Sequence, residues 1–204
     1  MAAPGIQANQ RGEFVDLGVR YHPDGSTTKE VTHFYAGDWH GGQTDKIVTS
    51  QWLHLCKQLN VENFIVGDFF DGYSISHHHI NRPLKMARKT IDQRNDLELE
   101  VYQGAKEIDW ILSSIQGDLV MVRGNHDEVL ERYLDSGNYT DDYTNMALAL
   151  ELASRYLEGK DPLRVAFEMQ GGYDKSRVVW LSRDDSYKIG NVECGQHGDL
   201  GANG

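Results

Sequence analysis

Hydrophobic residues along the middle of the chain alternate between short runs and helical spacing. Apolar runs at residues 31–36, 64–66 and 119–122 each stop at a glycine followed by a polar residue, as buried strands often do. Apolar residues recurring every three or four positions predict helices over 44–59 and 101–115. The order strand, helix, strand, helix, strand predicts an α/β unit with parallel strands.

The segments on either side of this central unit, and one within it, have a different pattern of polar and hydrophobic residues. Residues 1–30 are polar and turn-rich, with one strand-like stretch at 14–21, so we interpret them as an N-terminal extension of a domain at 31–204. Residues 72–96 are polar and basic without a clear period, which predicts a loop or insertion. Helical stretches are predicted near 128–134 and 140–157. Three β-type runs at 164–168, 177–181 and 187–194 then suggest a second sheet.

Composition excludes several classes of protein. No apolar run approaches the length of a membrane span, so no membrane association is expected. Cys56 and Cys194 are far apart, which excludes a disulfide scaffold or zinc ribbon and favours the cytoplasm. A net charge of -11 argues against a broad electrostatic grip on DNA. A nucleic-acid enzyme remains open, because carboxylates that bind metal ions count as negative in this sum.

Polar clusters follow the predicted strands, and a fourth cluster follows the last β-type run. Their members are Asp38 and His40, then Asp68 and Asp71, then Asn125, His126 and Asp127, and finally His197. Residues just past the C-terminal ends of strands in an α/β sheet converge on one crevice. Imidazole, carboxylate and amide groups together suit a divalent metal such as Mn, Fe or Zn. The glycine before each cluster is expected to permit a sharp turn.

These clusters carry a family resemblance. The series Gly37-Asp38-x-His40, Gly67-Asp68-x-x-Asp71, Gly124-Asn125-His126-Asp127 and a later His197 closely resembles the calcineurin-like metallophosphoesterases. The resemblance covers roughly residues 31–200. It implies a two-sheet β-sandwich flanked by helices (αββα) and two divalent metal ions, with Mn favoured and Fe or Zn as alternatives.

The resemblance also implies a role for each residue. Asp38 and His40 would bind the first metal, Asp68 would bridge both ions, and Asn125 and His197 would bind the second. His126 would be the proton donor over the bound phosphate, oriented by Asp71. Two ions that clamp a phosphate and activate water, with an imidazole protonating the leaving oxygen, form a complete hydrolytic mechanism.

One family motif is missing. These enzymes usually carry a further Gly-His-x-His that completes both metal sites, yet no histidine follows His197 before Gly204. Either the chain is a C-terminally truncated fragment of a longer parent chain, or the remaining ligands come from elsewhere; we favour the fragment. The segments 71–79 and 195–204 look most like phage-encoded members, which would place the protein in the host cytoplasm.

The expected activity is metal-dependent hydrolysis of phosphate esters, with DNA as the favoured substrate. The forms Gly-Asn-His-Asp and Gly-Asp-Phe-Phe-Asp resemble the nuclease branch. The protein phosphatase branch usually has Arg-Gly after the second motif and Glu after the third histidine, where this chain has Gly72-Tyr73 and Asp127. A phosphomonoesterase or nucleotide hydrolase is the alternative that the acidic charge slightly favours. A non-catalytic binding module with the same fold is the third.

Two further polar segments each have two alternative interpretations. The run His77-His78-His79 either lines the phosphate crevice or lies in a solvated loop. The basic residues Arg82, Lys85, Arg88 and Lys89 are either a strand-binding arm or a solvated helix face, and we favour the solvated face.

Overall fold

A computed structural model describes residues 31–79 and 82–197, and the backbone of four short strands before them. These strands are β1 (Ile6–Ala8), β2 (Phe14–Asp16), β3 (Val19–Tyr21) and β4 (Thr27–Lys29). They form two separate antiparallel pairs, β1 with β2 and β3 with β4. The strand-like stretch predicted at 14–21 is therefore divided between two pairs. The predicted division into an extension and a domain at residue 31 stays a prediction.

A four-stranded parallel sheet forms the centre of the fold. Its strands are β5 (His33–Ala36), β6 (Asn63–Gly67), β7 (Leu119–Val122) and β8 (Val178–Trp180), in that spatial order. Helix α1 (Lys46–Leu59) connects β5 to β6, and α2 (Pro83–Ile91) and α3 (Leu97–Leu112) connect β6 to β7. The segment before β8 contains α4 (Val129–Asp135), α5 (Met146–Leu157) and α6 (Pro162–Gln170). The predicted strand–helix alternation and parallel pairing are confirmed.

Both faces of the sheet are covered, as parallel sheets require. On one face Phe64 and Leu119 are fully buried in the main core with the helices. On the other face Ile65 and Val120 are fully buried in a smaller cluster. That cluster includes residues of a short antiparallel hairpin, β9 (Lys188–Ile189) and β10 (Val192–Glu193), and of its flanks.

Three predictions from the sequence are wrong. The supposed loop at 72–96 contains α2, and the run at 164–168 lies inside α6 rather than in a strand. Each helix has nine residues and a proline in its first turn, which is too short to display a clear helical period. The run at 177–181 contains β8, which extends the main sheet instead of starting a second one. Of the three β-type runs, the one at 187–194 contains the two-stranded β9–β10 pair, and the expected two-sheet sandwich stays a prediction.

No helix in the described part of the chain is both long enough and apolar enough to cross a membrane.

The guanidinium group of Arg177 ties β8 to the end of α3. It donates hydrogen bonds to the carbonyl oxygens of Leu112 at 3.3 Å, Ile115 at 3.2 Å and Gly117 at 2.8 Å. Arg177→Ala leaves these partly buried acceptors unpaired, so we expect it to lower the free energy of unfolding by about 2 kcal/mol. The measurement is urea denaturation. Arg164→Ala is the control, since Arg164 is exposed and its ion pair among the described residues is with Glu168 on the same helix. Equal losses for both variants would contradict the prediction.

Candidate metal centre

The loops that follow β5 and β6 run side by side. Three successive backbone N–H groups, those of residues 39–41, donate to the carbonyl oxygens of residues 67–69 at 2.7–3.0 Å. These bonds continue the parallel pairing of β5 and β6 beyond the strand ends. The first two polar clusters of the sequence are thereby held next to each other.

Polar residues themselves form the sharp turns at these strand ends. Asp38, His40 and Asp68 have φ angles of 49°, 48° and 49°, in the left-handed region that non-glycine residues seldom adopt. Gly37 and Gly67 are not among the residues with positive φ, so the turning role expected for the preceding glycines is wrong. Backbone strain of this kind concentrates at functional sites, where surrounding structure compensates for it.

The carboxylate of Asp68 lies at the centre of the site and is almost completely buried. Its Oδ1 accepts a hydrogen bond from the backbone N–H of His126 at 2.9 Å, and its Oδ2 lies 2.9 Å from Nε2 of His197. A Cβ atom at Gly124 would lie 2.0 Å from Oδ1 of Asp68. Glycine is therefore required at position 124 because of this close approach, and not because of its φ angle.

Three of the five predicted metal ligands form one group, which we call the Asp68 group: Asp38, Asp68 and His197. Nε2 of His197 lies 3.8 Å from Oδ1 of Asp38 and 2.9 Å from Oδ2 of Asp68. The side chain of Asp38 is 76% exposed, whereas that of Asp68 is 2% exposed, so the group opens to solvent on one side.

A second group, which we call the Asp71 group, consists of His40, Asp71 and His126. Nδ1 of His40 lies 3.1 Å from Oδ1 of Asp71. Nδ1 of His126 lies 3.3 Å from the carbonyl oxygen and 3.8 Å from Oδ1 of the same residue. The two imidazole rings meet edge to face at 4.3 Å. The structure thus places the ring of His40 beside Asp71 and His126, whereas the resemblance assigned it to a metal with Asp38.

Asn125 lies between the two residues that contact Asp68, but its side chain is exposed. The backbone carbonyl oxygen of Asn125 accepts a hydrogen bond from the Arg132 guanidinium group at 2.7 Å. The role of its amide as a metal ligand stays a prediction. The histidine run at 77–79 forms a short 3-10 turn and belongs to neither group of the described residues.

Asp127 is a structural residue of the site to which the sequence analysis gave no role. Its buried carboxylate accepts hydrogen bonds from the backbone N–H groups of Phe70 at 2.8 Å and Gly124 at 3.0 Å. It therefore ties the loop after β6 to the loop after β7. Burial, together with the nearby charge of Asp68, raises the pKa of Asp127 to about 7. Its position directly after His126 was the available sequence signal.

Glu100 on α3 is a second residue that the sequence analysis missed. Its carboxylate accepts from the backbone N–H groups of Tyr73 and Ser74, both at 2.9 Å, and so fixes the loop that follows Asp71. Burial raises its pKa. Nothing in the sequence distinguishes this glutamate from the other acidic residues of α3.

The donor set of the Asp68 group fits a divalent metal ion. Ligand atoms about 2.1 Å from an ion can be separated by at most about 4.2 Å, and both distances from His197 are shorter than that. Carboxylate and imidazole ligands suit Mn, Fe or Zn.

Comparisons with known proteins agree with this chemistry. The family model of the calcineurin-like phosphoesterases matches residues 34–195. Protein A1 of Escherichia phage T5 is 29% identical over 216 aligned residues, which cover 96% of this chain and 38% of that protein. The chain therefore spans well under half the length of this curated relative. No solved structure matches it.

We expect Asp127→Ala to unfold more easily than the parent protein even when no metal is bound. The variant leaves two buried N–H groups without an acceptor, which corresponds to a loss of about 2–4 kcal/mol. Urea denaturation in the presence of a chelator measures this loss separately from any change in metal affinity. The control is Asp135→Ala, since Asp135 is exposed. The prediction fails if the two variants are equally stable.

Proposed function

The chain belongs to the calcineurin-like phosphoesterase family, and on that basis we propose that it is a metal-dependent phosphodiesterase that cleaves DNA. Hydrolysis of phosphate esters is the chemistry of the family. The observation that carries the proposal is the joining of the Asp68 group to the Asp71 group by backbone hydrogen bonds, from His126 to the Asp68 carboxylate at 2.9 Å and from His40 to the Asp68 carbonyl oxygen at 2.8 Å. The carboxylates of the Asp68 group and the imidazole pair of the Asp71 group are thereby held next to each other.

The Asp68 group would hold the metal ions, with His40 and Asn125 as additional ligands. We favour Mn²⁺, with Fe and Zn as alternatives, because the ligands mix oxygen and nitrogen. Two such ions, when bound, would supply positive charge to neutralise a phosphate and would lower the pKa of a water molecule.

His126 would donate a proton to the oxygen that leaves. Its Nδ1 faces Asp71, so Nε2 is the nitrogen available to a substrate, and the side chain is 39% exposed. An imidazole exchanges protons readily near neutral pH, which makes it an effective general acid there.

Asp71 would position both imidazoles. Its Oδ1 lies 3.1 Å from Nδ1 of His40, and its carbonyl oxygen lies 3.3 Å from Nδ1 of His126. Acceptors at these positions favour the tautomers that carry hydrogen on Nδ1. Both Nε2 atoms are then free for the crevice.

DNA is the substrate that the motifs favour. The sequences Gly-Asn-His-Asp at 124–127 and Gly-Asp-Phe-Phe-Asp at 67–71 resemble the nuclease branch, and Gly72-Tyr73 and Asp127 stand where the protein phosphatase branch usually has other residues. A broad basic arm on α2 has little support, since Lys89 is buried and Arg88 pairs with Asp92 at 2.8 Å. Contact with DNA would therefore be local.

We also propose that residues 31–204 form the phosphoesterase domain and that β9 and β10 belong to the second sheet of an αββα sandwich. In this proposal a longer parent chain supplies the remaining metal ligands. The greater length of the phage relative supports it. The phage origin of that relative is consistent with action in a host cytoplasm.

A parallel assay separates the candidate functions. With Mn²⁺ present, we expect cleavage of plasmid DNA and of the diester methyl p-nitrophenyl phosphate, and much slower cleavage of the monoester p-nitrophenyl phosphate. Asp68→Asn, which weakens the central ligand, should abolish all cleavage. Preference for the monoester would instead support a phosphomonoesterase or nucleotide hydrolase, which the net charge of -11 favours. No cleavage of any substrate, including by a longer parent chain that supplies the remaining metal ligands, would support a binding module.

His126→Ala should lower turnover of DNA by about 10²–10⁴-fold, because it removes the general acid. The manganese content of the purified variant, measured by elemental analysis, should equal that of the parent protein. His54→Ala is the control, since His54 is exposed on α1 and outside both groups. Loss of one equivalent of metal would mean that His126 is a ligand instead.

A further inference from the structure

A cavity of about 520 Å³ lies beside the loop that follows Asp71. Its walls come from residues 74–76, from α2 and from the segment between α4 and α5. This volume lies within the range that small-molecule sites occupy, and it is sufficient for a nucleotide. Ser74 is three residues beyond Asp71, so at most about 10 Å of chain separates the cavity wall from the catalytic groups.

Lys89 is a buried cation in the wall of this cavity. Its Nζ donates to the carbonyl oxygen of Ser74 at 3.1 Å, which is the ammonium group's one hydrogen bond with the described residues. A lysine ammonium has three protons to donate. Burial lowers the pKa of Lys89 to about 8, so the group is still mostly charged at neutral pH. The ammonium group also lies over the Tyr73 ring at 5.0 Å and near the carboxylates of Glu100 and Asp142, but two of its N–H donors remain for a ligand that carries oxygen acceptors.

Two exposed side chains complete the chemistry of the cavity. Arg82 makes no capping bond to α2, and its guanidinium group forms no ion pair within the described part of the chain. Tyr143 lines the same cavity with 86% of its surface exposed. Cations suit a phosphate, and an exposed aromatic ring suits a base, since every base stacks on aromatic side chains.

We propose that this cavity binds the nucleotide next to the scissile phosphodiester, with its phosphate near Lys89 and Arg82 and its base against Tyr143. This inference rests on the proposed function. The lining also holds two carboxylates. The negative charge of Asp142, which accepts from Tyr133 at 2.9 Å, is partly offset by the nearby Lys89, and the exposed Asp141 is able to accept from a base amino group.

The first test compares two diesters, an oligonucleotide and methyl p-nitrophenyl phosphate, which has no flanking nucleotide. Tyr143→Ala should lower kcat/KM for the oligonucleotide by about 5- to 100-fold, the range expected for a lost base stack. Arg82→Ala should also lower it, and neither variant should alter cleavage of the small diester. The matched controls are Tyr102→Ala and Arg88→Ala, since both residues are exposed outside the cavity lining.

The second test measures binding without catalysis. Thymidine 5′-monophosphate is titrated by calorimetry in the presence of a chelator, against the parent protein and Thr144→Trp. Thr144 is exposed in the cavity lining, so tryptophan should fill the space, abolish binding and leave thermal unfolding unchanged.

The outcomes of the two tests are separable. If the unmutated protein cleaves neither of the two diesters, the proposed function fails, and the titration still tests whether the cavity binds a nucleotide. If the small diester is cleaved, the inference is overturned when the cavity variants leave oligonucleotide cleavage unchanged or lower both activities equally. Binding of the nucleotide that Thr144→Trp does not weaken also overturns it.

Discussion

A buried carboxylate needs partners that replace its lost hydration. The partners of the Asp68 carboxylate determine how the loops of this protein meet. Taking an ionised carboxylate out of water costs several kcal/mol unless partners surround it. Here the partners are the backbone N–H of His126 and the ring of His197. Gly124 leaves the space for this approach. Two strand-end loops and the C-terminal segment are therefore tied to one side chain, and the geometry of the site is part of the stability of the fold.

Two more carboxylates extend this arrangement without facing the crevice as ligands. Asp127 and Glu100 each accept two backbone N–H groups, from Phe70 and Gly124 and from Tyr73 and Ser74. These bonds hold the loop after β6 in addition to the burial of Phe69, Phe70 and Ile75 in the main core, and they leave none of the four N–H groups unpaired. Part of the protein's acidity is thus used to fix the loops. Its net charge consequently says less about its binding partners than the number alone suggests.

Two properties decided which features could be predicted from the sequence: the length of each segment, and whether its structure depends on nearby or on distant residues. Strands β5 to β7 and helices α1 and α3 were predictable because long or strongly apolar segments display their period. Helix α6 was not, since Val165 and Phe167 favour strands in isolation, while burial of Phe167 in the core decides otherwise. The candidate ligands could be found in the sequence because each polar cluster directly follows a predicted strand. The left-handed Asp68 and the supporting role of Glu100 depend on contacts between distant segments, which no local pattern records.

An acidic protein and DNA repel each other, so binding of the proposed substrate requires local positive charge. Salt screens exposed charges over about 10 Å at 0.1 M, so the net charge of -11 acts mainly on approach, while groups at the crevice decide binding. Those groups are the metal ions that the Asp68 group would hold and the cations of the neighbouring cavity. Few phosphates are then neutralised per bound strand, and the salt dependence of affinity is shallow. Recognition on this basis rests on one flanking nucleotide and the scissile phosphate instead of a long basic surface.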